Sequence, residues 1–238
     1  MFALPPRQSE PEILDDPGTS DALRLRSMAD VARSNALFGG RRAVVKAVMR
    51  LLPAHDPARP LVLLDVGSGT GDIPARVRMA AAACDVQVQV VTLDISSVLA
   101  RKSSEHSTFA VCGNALQLPI GDHAVDIATC SQLLHHFSPE GVVRLLSELE
   151  RVSSLGVVVS DLRRSRLAAW GFWFASWMLG FHPITRSDGR QSVLKGFTAA
   201  ELAELLHRAT GRTTRVRHSP GWRLTAAWST TAAAGSAR

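Results

Sequence analysis

The sequence predicts an α/β fold: a doubly wound sheet of seven strands, mostly parallel, with an antiparallel β-hairpin at its C-terminal end. Three observations carry this. Between Leu61 and Asp161, aliphatic runs of strand length alternate with helical patterns, and such alternation demands βαβ units with right-handed crossovers. The first run, LVLLDV, is continuous rather than alternating, as expected of a parallel strand covered on both faces. Near the end, two short β-prone runs flank Ser219-Pro220-Gly221, which reads as a hairpin turn.

Taken in order, residues 1–20 form a proline- and acid-rich stretch expected to be a flexible arm. It lacks the basic and apolar regions of a signal peptide. Residues 21–56 form a helical cap, two helices with apolar residues at helical spacing, broken at Gly39-Gly40, and Pro53 to Pro60 is a turn. The strands expected next are Leu61–Val66, Val86–Asp94, Ser107–Ala115, Val125–Cys130 and Gly156–Asp161. Helices follow from Asp72 and from about Ser96, and an amphipathic one spans Pro139–Val152 with proline suited to its first turn. A Thr-x-x-Glu capping box at Thr198 and Glu201 starts a helix running to Thr210. The hairpin Thr213–His218 and Trp222–Trp228 comes last, before a flexible tail at 229–238.

Composition bounds the function. With 238 residues, 46% of them apolar, the chain can bury one sizeable core. A net charge of +6 and a pI near 10.2 come from dispersed basic residues. The longest cluster, Arg163 to Arg166, is too short for a nucleic-acid stripe, so no nucleic-acid partner is expected. Cys84, Cys112 and Cys130 lack any metal-ligand cadence. They read as reduced, buried thiols of a cytoplasmic protein, with no metal. Leu167 to Phe181 is uncharged but falls short of the roughly 20 residues that span a bilayer. It is a buried helix or an interfacial lid, through which the protein could touch a membrane surface.

The stretch Leu63 to Asp72, LLDVGSGTGD, places Gly67, Gly69 and Gly71 at the carboxyl end of the first strand. That is the edge where doubly wound sheets bind ligands. Asp72 stands where a dinucleotide fingerprint needs its third glycine, and no Walker lysine follows. Asp94, ending the second strand, is placed to accept hydrogen bonds from ribose hydroxyls, or to cap a helix. Ile95 beside it could cover an adenine face, and Asn114 could meet the adenine edge.

These residues together resemble the class I S-adenosylmethionine-dependent methyltransferases, with their Rossmann-like fold. The resemblance implies a methyltransferase domain at 57–228, with an aromatic lid inserted at 165–197, and S-adenosyl-L-methionine as cofactor. It implies that Asp65, Gly67, Gly69 and Gly71 hold the methionine part and Asp94 the ribose, with Ile95 and Asn114 at the adenine and Ser68, Ala115 and Ser131 also at the cofactor. Asn114 departs from the family's more usual aspartate.

The resemblance also sets CSQLLHHFSPEG beside the transferred methyl group. His136, or its neighbour His135, is then the candidate general base, and Asp161 could orient a histidine, orient the substrate or cap a helix. No DPPY-type sequence follows the fourth strand, which disfavours methylation of amino groups on adenine or of protein amides. Trp170, Trp173, Phe174 and Trp177 are expected to build an apolar substrate pocket, and the polar loop after them, with His182 and Arg186, to fix a polar end. Similar lids occur in bacterial methyltransferases of polyketide-type secondary metabolism. The expected reaction is methylation, preferentially on oxygen, of an apolar, aromatic or polyketide-like small molecule. C-methylation of a lipid or isoprenoid and an RNA methyltransferase or nucleic-acid binder are the alternatives; the oligomeric state is left open.

Overall fold

The computed structural model describes residues 4–52 and 59–230. Most of the expected turn at Pro53–Pro60 and all but two residues of the expected tail lie outside them. Two helices, α1 (Asp21–Leu37) and α2 (Gly40–Leu51), precede the alternating series β1 (Leu61–Val66), α3 (Asp72–Ala82), β2 (Val88–Asp94), α4 (Ser97–Ser103) and β3 (Phe109–Cys112). Next come β4 (Val125–Ser131), α5 (Pro139–Val152), β5 (Ser153–Leu162), α6 (Arg166–Met178), α7 (Pro183–Lys195), α8 (Ala199–Thr210), β6 (Arg217–Ser219) and β7 (Arg223–Ser229).

The seven strands form one sheet in the order β3-β2-β1-β4-β5-β7-β6. All pairs from β3 to β5 are parallel, and β7 runs antiparallel between β5 and β6. Chain order reverses between β1 and β4, so the carboxyl ends of these two strands open the crevice in which such folds bind ligands.

Both faces of the sheet are covered. On one, α5 buries Val142, Leu145, Leu146, Leu149 and Val152, a helical stripe that shares its core with Leu202 and Leu206 of α8. On the other, Val44 and Val48 of α2 meet Ile73 and Val77 of α3. Each fully buried leucine contributes about 1.5–3 kcal/mol relative to exposure. The capping box forms as expected: Thr198 Oγ1 accepts Glu201 N–H at 3.1 Å, and the Glu201 carboxylate accepts Thr198 N–H at 2.8 Å.

Four expectations need correction. The polar stretch after Phe181 is not a loop but α7. Pro183 starts it, His182 Nδ1 accepts the Ile184 N–H, and Gly189 in its middle allows close approach of the Phe172 ring; a central glycine disguised the helix. Cys84 and Cys112 are exposed, and only Cys130 is buried. The residues α1 buries are Ser27, Asp30, Ser34 and Asn35, so polar contacts, not an apolar stripe, seat it. From Leu4 onward the arm is pinned to the domain. The Arg7 guanidinium donates to Lys195 O and Phe137 O, and the Asp188 carboxylate accepts the N–H groups of Ile13 and Leu14. Those partners lie far away in sequence, out of reach of any local pattern.

Candidate active site

A cavity of about 650 Å³ opens at the β1/β4 switch point, roofed by α1, the arm and α6. Its floor is the glycine turn. Gly67 (φ +71°) and Gly69 (φ +55°) are left-handed, and a Cβ on either would come within 2.7 Å of Leu133 or Met28 respectively. Both the left-handed backbone and the close neighbours favour glycine there. The turn is tied to β2: Gly67 N–H donates to Leu93 O, and Gly69 N–H to Asp94 Oδ2 at 2.9 Å. Asp94 Oδ1 accepts Ser96 N–H at the start of α4, so this carboxylate organises both loops.

Three carboxylates, Asp65, Asp72 and Asp94, line the cavity with few cations to balance them. Burial, reinforced by the other two carboxylates, pushes Asp65 up to about 7 against the opposing hydrogen bond from Thr129. Burial also raises Asp72 and Asp94. Such a site favours a cationic ligand. Opposite them Arg223, 3% exposed, donates to Asn35 Oδ1 at 2.6 Å, while its Nε and Nη1 have no partner among the described residues. Burial lowers its pKa to about 10. Asn35 Oδ1 also accepts from Gln132, a residue held at φ +56° immediately after β4.

The histidines stand at the cavity wall in different settings. His135 is buried, with Nδ1 2.7 Å from Asp161 Oδ1. Asp161 sits behind it at the end of β5 and also accepts Leu162 N–H. Burial alone would raise Asp161, but the charge and hydrogen bond of His135 hold it below the usual carboxylate range. A carboxylate can only accept, so His135 Nδ1–H donates to Asp161 while Nε2 is turned to the Glu12 side. His136 contacts Asp15 at 3.2 Å, and its pKa is raised: Asp15 and Glu12 outweigh burial. Glu12 of the arm faces both rings, at 3.7 Å from His135 Nε2 and 3.9 Å from His136 Nε2. Glu12, His135 and His136 bring potential ligand atoms within 4.8 Å of one another. The buried ammonium of Lys195, 3.1 Å from Glu12, already supplies a cation there.

Of the residues expected at the cofactor, Asp65, Gly67, Ser68, Gly69, Asp94, Ile95 and Ser131 line this cavity. Gly71 lies just outside, with its Cα side against Ser103. Asn114 is exposed and its side chain accepts Leu116 N–H in a local turn; it and Ala115 do not line the cavity. Of the residues expected at the substrate, Trp170, Trp173, Phe174 and Trp177 point out of the protein, and His182 caps α7 instead of reaching the cavity. Arg186 does not line it either. Helical phase explains the tryptophans: positions 170, 173, 174 and 177 share one face, and α6 turns the other, with Ala168, Gly171 and Phe172, toward the cavity. Glu12, Asn35, Gln132 and Arg223 escaped the sequence reading because each acts through a partner distant in the chain.

Residues 64–159 match a family model described as a methyltransferase domain. Solved structures share the fold at low identity. One from Anabaena variabilis, described as a candidate methyltransferase from an antibiotic biosynthesis pathway, is 20% identical over 75% of this chain and 67% of that one, with a TM-score of 0.53. A candidate O-methyltransferase from Nostoc punctiforme is 14% identical over 94% of this chain and 64% of that one, with a TM-score of 0.63. Magnesium protoporphyrin IX methyltransferase from Synechocystis, with bound SAH, is 15% identical over 91% and 90%, with a TM-score of 0.52. No curated protein matches the sequence. Residues 64–159 therefore carry a methyltransferase domain, on a fold shared with S-adenosylmethionine-dependent methyltransferases.

Proposed function

We propose that the protein methylates an oxygen of an apolar small molecule, with His135 as the general base. The observation that carries this reading is the His135 Nδ1–Asp161 Oδ1 contact of 2.7 Å on the wall of the carboxylate-lined cavity. Bound there, S-adenosylmethionine supplies a methyl group activated by its sulfonium charge. The chain's residues suit it: the glycine turn leaves room for close approach, and the hydroxyls of Ser68 and Ser131, without a partner among the described residues, line the same space. In this reading the carboxylates hold the cationic part and the ribose, and the free guanidinium nitrogens of Arg223 hold the carboxylate end.

The acceptor would lie against Phe38, Leu133, Phe137 and Phe172 of the cavity wall. Its hydroxyl proton passes to His135 Nε2 as the oxygen–methyl bond forms and the sulfur–methyl bond breaks, and Asp161 stabilises the resulting imidazolium. A base so placed is worth about 10²–10⁴ in rate. The sequence slightly favours His136; the fully buried Asp161 behind His135, against the exposed Asp15 beside His136, favours His135 instead. The test is calorimetry with S-adenosylhomocysteine, followed by mass analysis of products from a panel of apolar phenols, enols and carboxylic acids. Absence of cofactor binding overturns the reading, and carbon NMR showing a new carbon–carbon bond redirects it to C-methylation.

A further inference from the structure

We propose that the outer face of α6 docks the protein onto an anionic lipid surface. Leu167, Trp170, Trp173, Phe174, Trp177 and Met178 are 44–67% exposed along this one helix. Monomeric proteins rarely leave so continuous an apolar strip in water. Tryptophan-rich faces are suited to the boundary between headgroups and acyl chains, where a ring can bury its body and keep its N–H hydrated.

Charge complementarity selects the occupant. Between Arg163 and Lys195 the only acidic residue is Asp188, buried under the arm. Arg164 and Lys195 are buried and paired with Glu201 and Glu12. The exposed charges left on the α6–α7 hairpin are thus Arg166 and Arg190, neither in a salt bridge among the described residues, with Arg163 and Arg186 half-buried beside them. An apolar strip whose own hairpin exposes cations and no acidic side chain fits an anionic membrane. A second copy of the chain would bring the same cations against one another. The strip is also small for a dimer: 13 residues of helix make it roughly 20 Å long and about 10 Å wide, against about 800 Å² per partner in a stable interface.

The inner face of the same helix lines the cavity through Ala168, Gly171 and Phe172. Docking would hold the cavity mouth at the acyl boundary, where an apolar acceptor concentrates. That consequence rests on the methyltransferase reading; the docking does not, and it is tested without turnover. The full chain is sedimented with vesicles of phosphatidylglycerol and phosphatidylcholine, and with pure phosphatidylcholine. Binding should favour the anionic vesicles and weaken with salt. Trp170→Ser/Trp177→Ser should weaken it roughly tenfold or more, with circular dichroism confirming the fold. Arg166→Gln/Arg190→Gln, which disturbs no packing, should cost about fivefold per arginine, equivalent to about 1 kcal/mol each near such a surface. No sedimentation with anionic vesicles by protein that binds S-adenosylhomocysteine, or undiminished binding by both double variants, overturns the proposal. So does a wild-type dimer that the tryptophan variant dissociates while vesicles capture neither protein.

Discussion

Asp65, buried beside two other carboxylates, is in tension with its surroundings until a cation arrives. Its folded pKa of about 7 exceeds the ordinary value near 3.8, so the folded state binds its proton more tightly. The stability this gives the empty protein is full below about pH 4 and is lost as pH rises through 7. The α-ammonium group of the cofactor, which S-adenosylhomocysteine shares, displaces that proton in the proposed reading. Affinity for S-adenosylhomocysteine should therefore rise with pH up to about 7, and calorimetry in two buffers of different ionisation enthalpy should detect proton release. Arg223→Met should lower affinity for S-adenosylhomocysteine at least tenfold, a loss of about 1.4 kcal/mol, while affinity for methylthioadenosine, which lacks the carboxylate, stays within a fewfold. Asp161 does not line the cavity, and under the proposed function it acts through His135. Asp161→Asn should cut kcat by roughly a hundredfold or more and shift its pH profile, with cofactor affinity nearly unchanged, as kinetics and calorimetry will show.

At the scale of elements, the arm is the part of the site that responds to pH. His136 has a raised pKa in the folded protein, so its contribution is complete below the ordinary histidine value and fades as pH rises through the folded one. Asp15, held near 2 as its hydrogen bond to His136 overcomes burial, contributes above the ordinary carboxylate value and fades as pH falls toward 2. The arm is therefore held best in mildly acidic solution. Limited proteolysis should release it faster at pH 8.5 than at pH 5.5, and Asp15→Asn should flatten that difference. Asp188→Asn weakens the acceptor for two arm N–H groups, and should speed release at both pH values.

For the whole molecule, the load-carrying feature is the core between α5, α8 and the sheet. Leu146→Ala removes a side chain with no exposure from that cluster and should cost about 2–5 kcal/mol, measurable as a lower thermal midpoint. The parts of the fold legible in sequence were those with a local cause. Continuous aliphatic runs marked buried strands, the spacing of Val142, Leu145, Leu146 and Leu149 marked α5, and Thr198 with Glu201 marked the start of α8. The glycine turn was legible too, because left-handed backbone next to a ligand leaves glycine as the residue that fits. Other features depended on contacts between distant segments: Asp188 receiving the arm, Asp161 backing His135, Asn35 bridging Gln132 and Arg223. The sequence by itself determined the sheet, its ligand edge and the clustering of aromatics in α6. The tertiary structure alone decided which way those aromatics face, since a helix's rotation about its axis is set by what it packs against, here Gly189 beneath Phe172, and not by its composition.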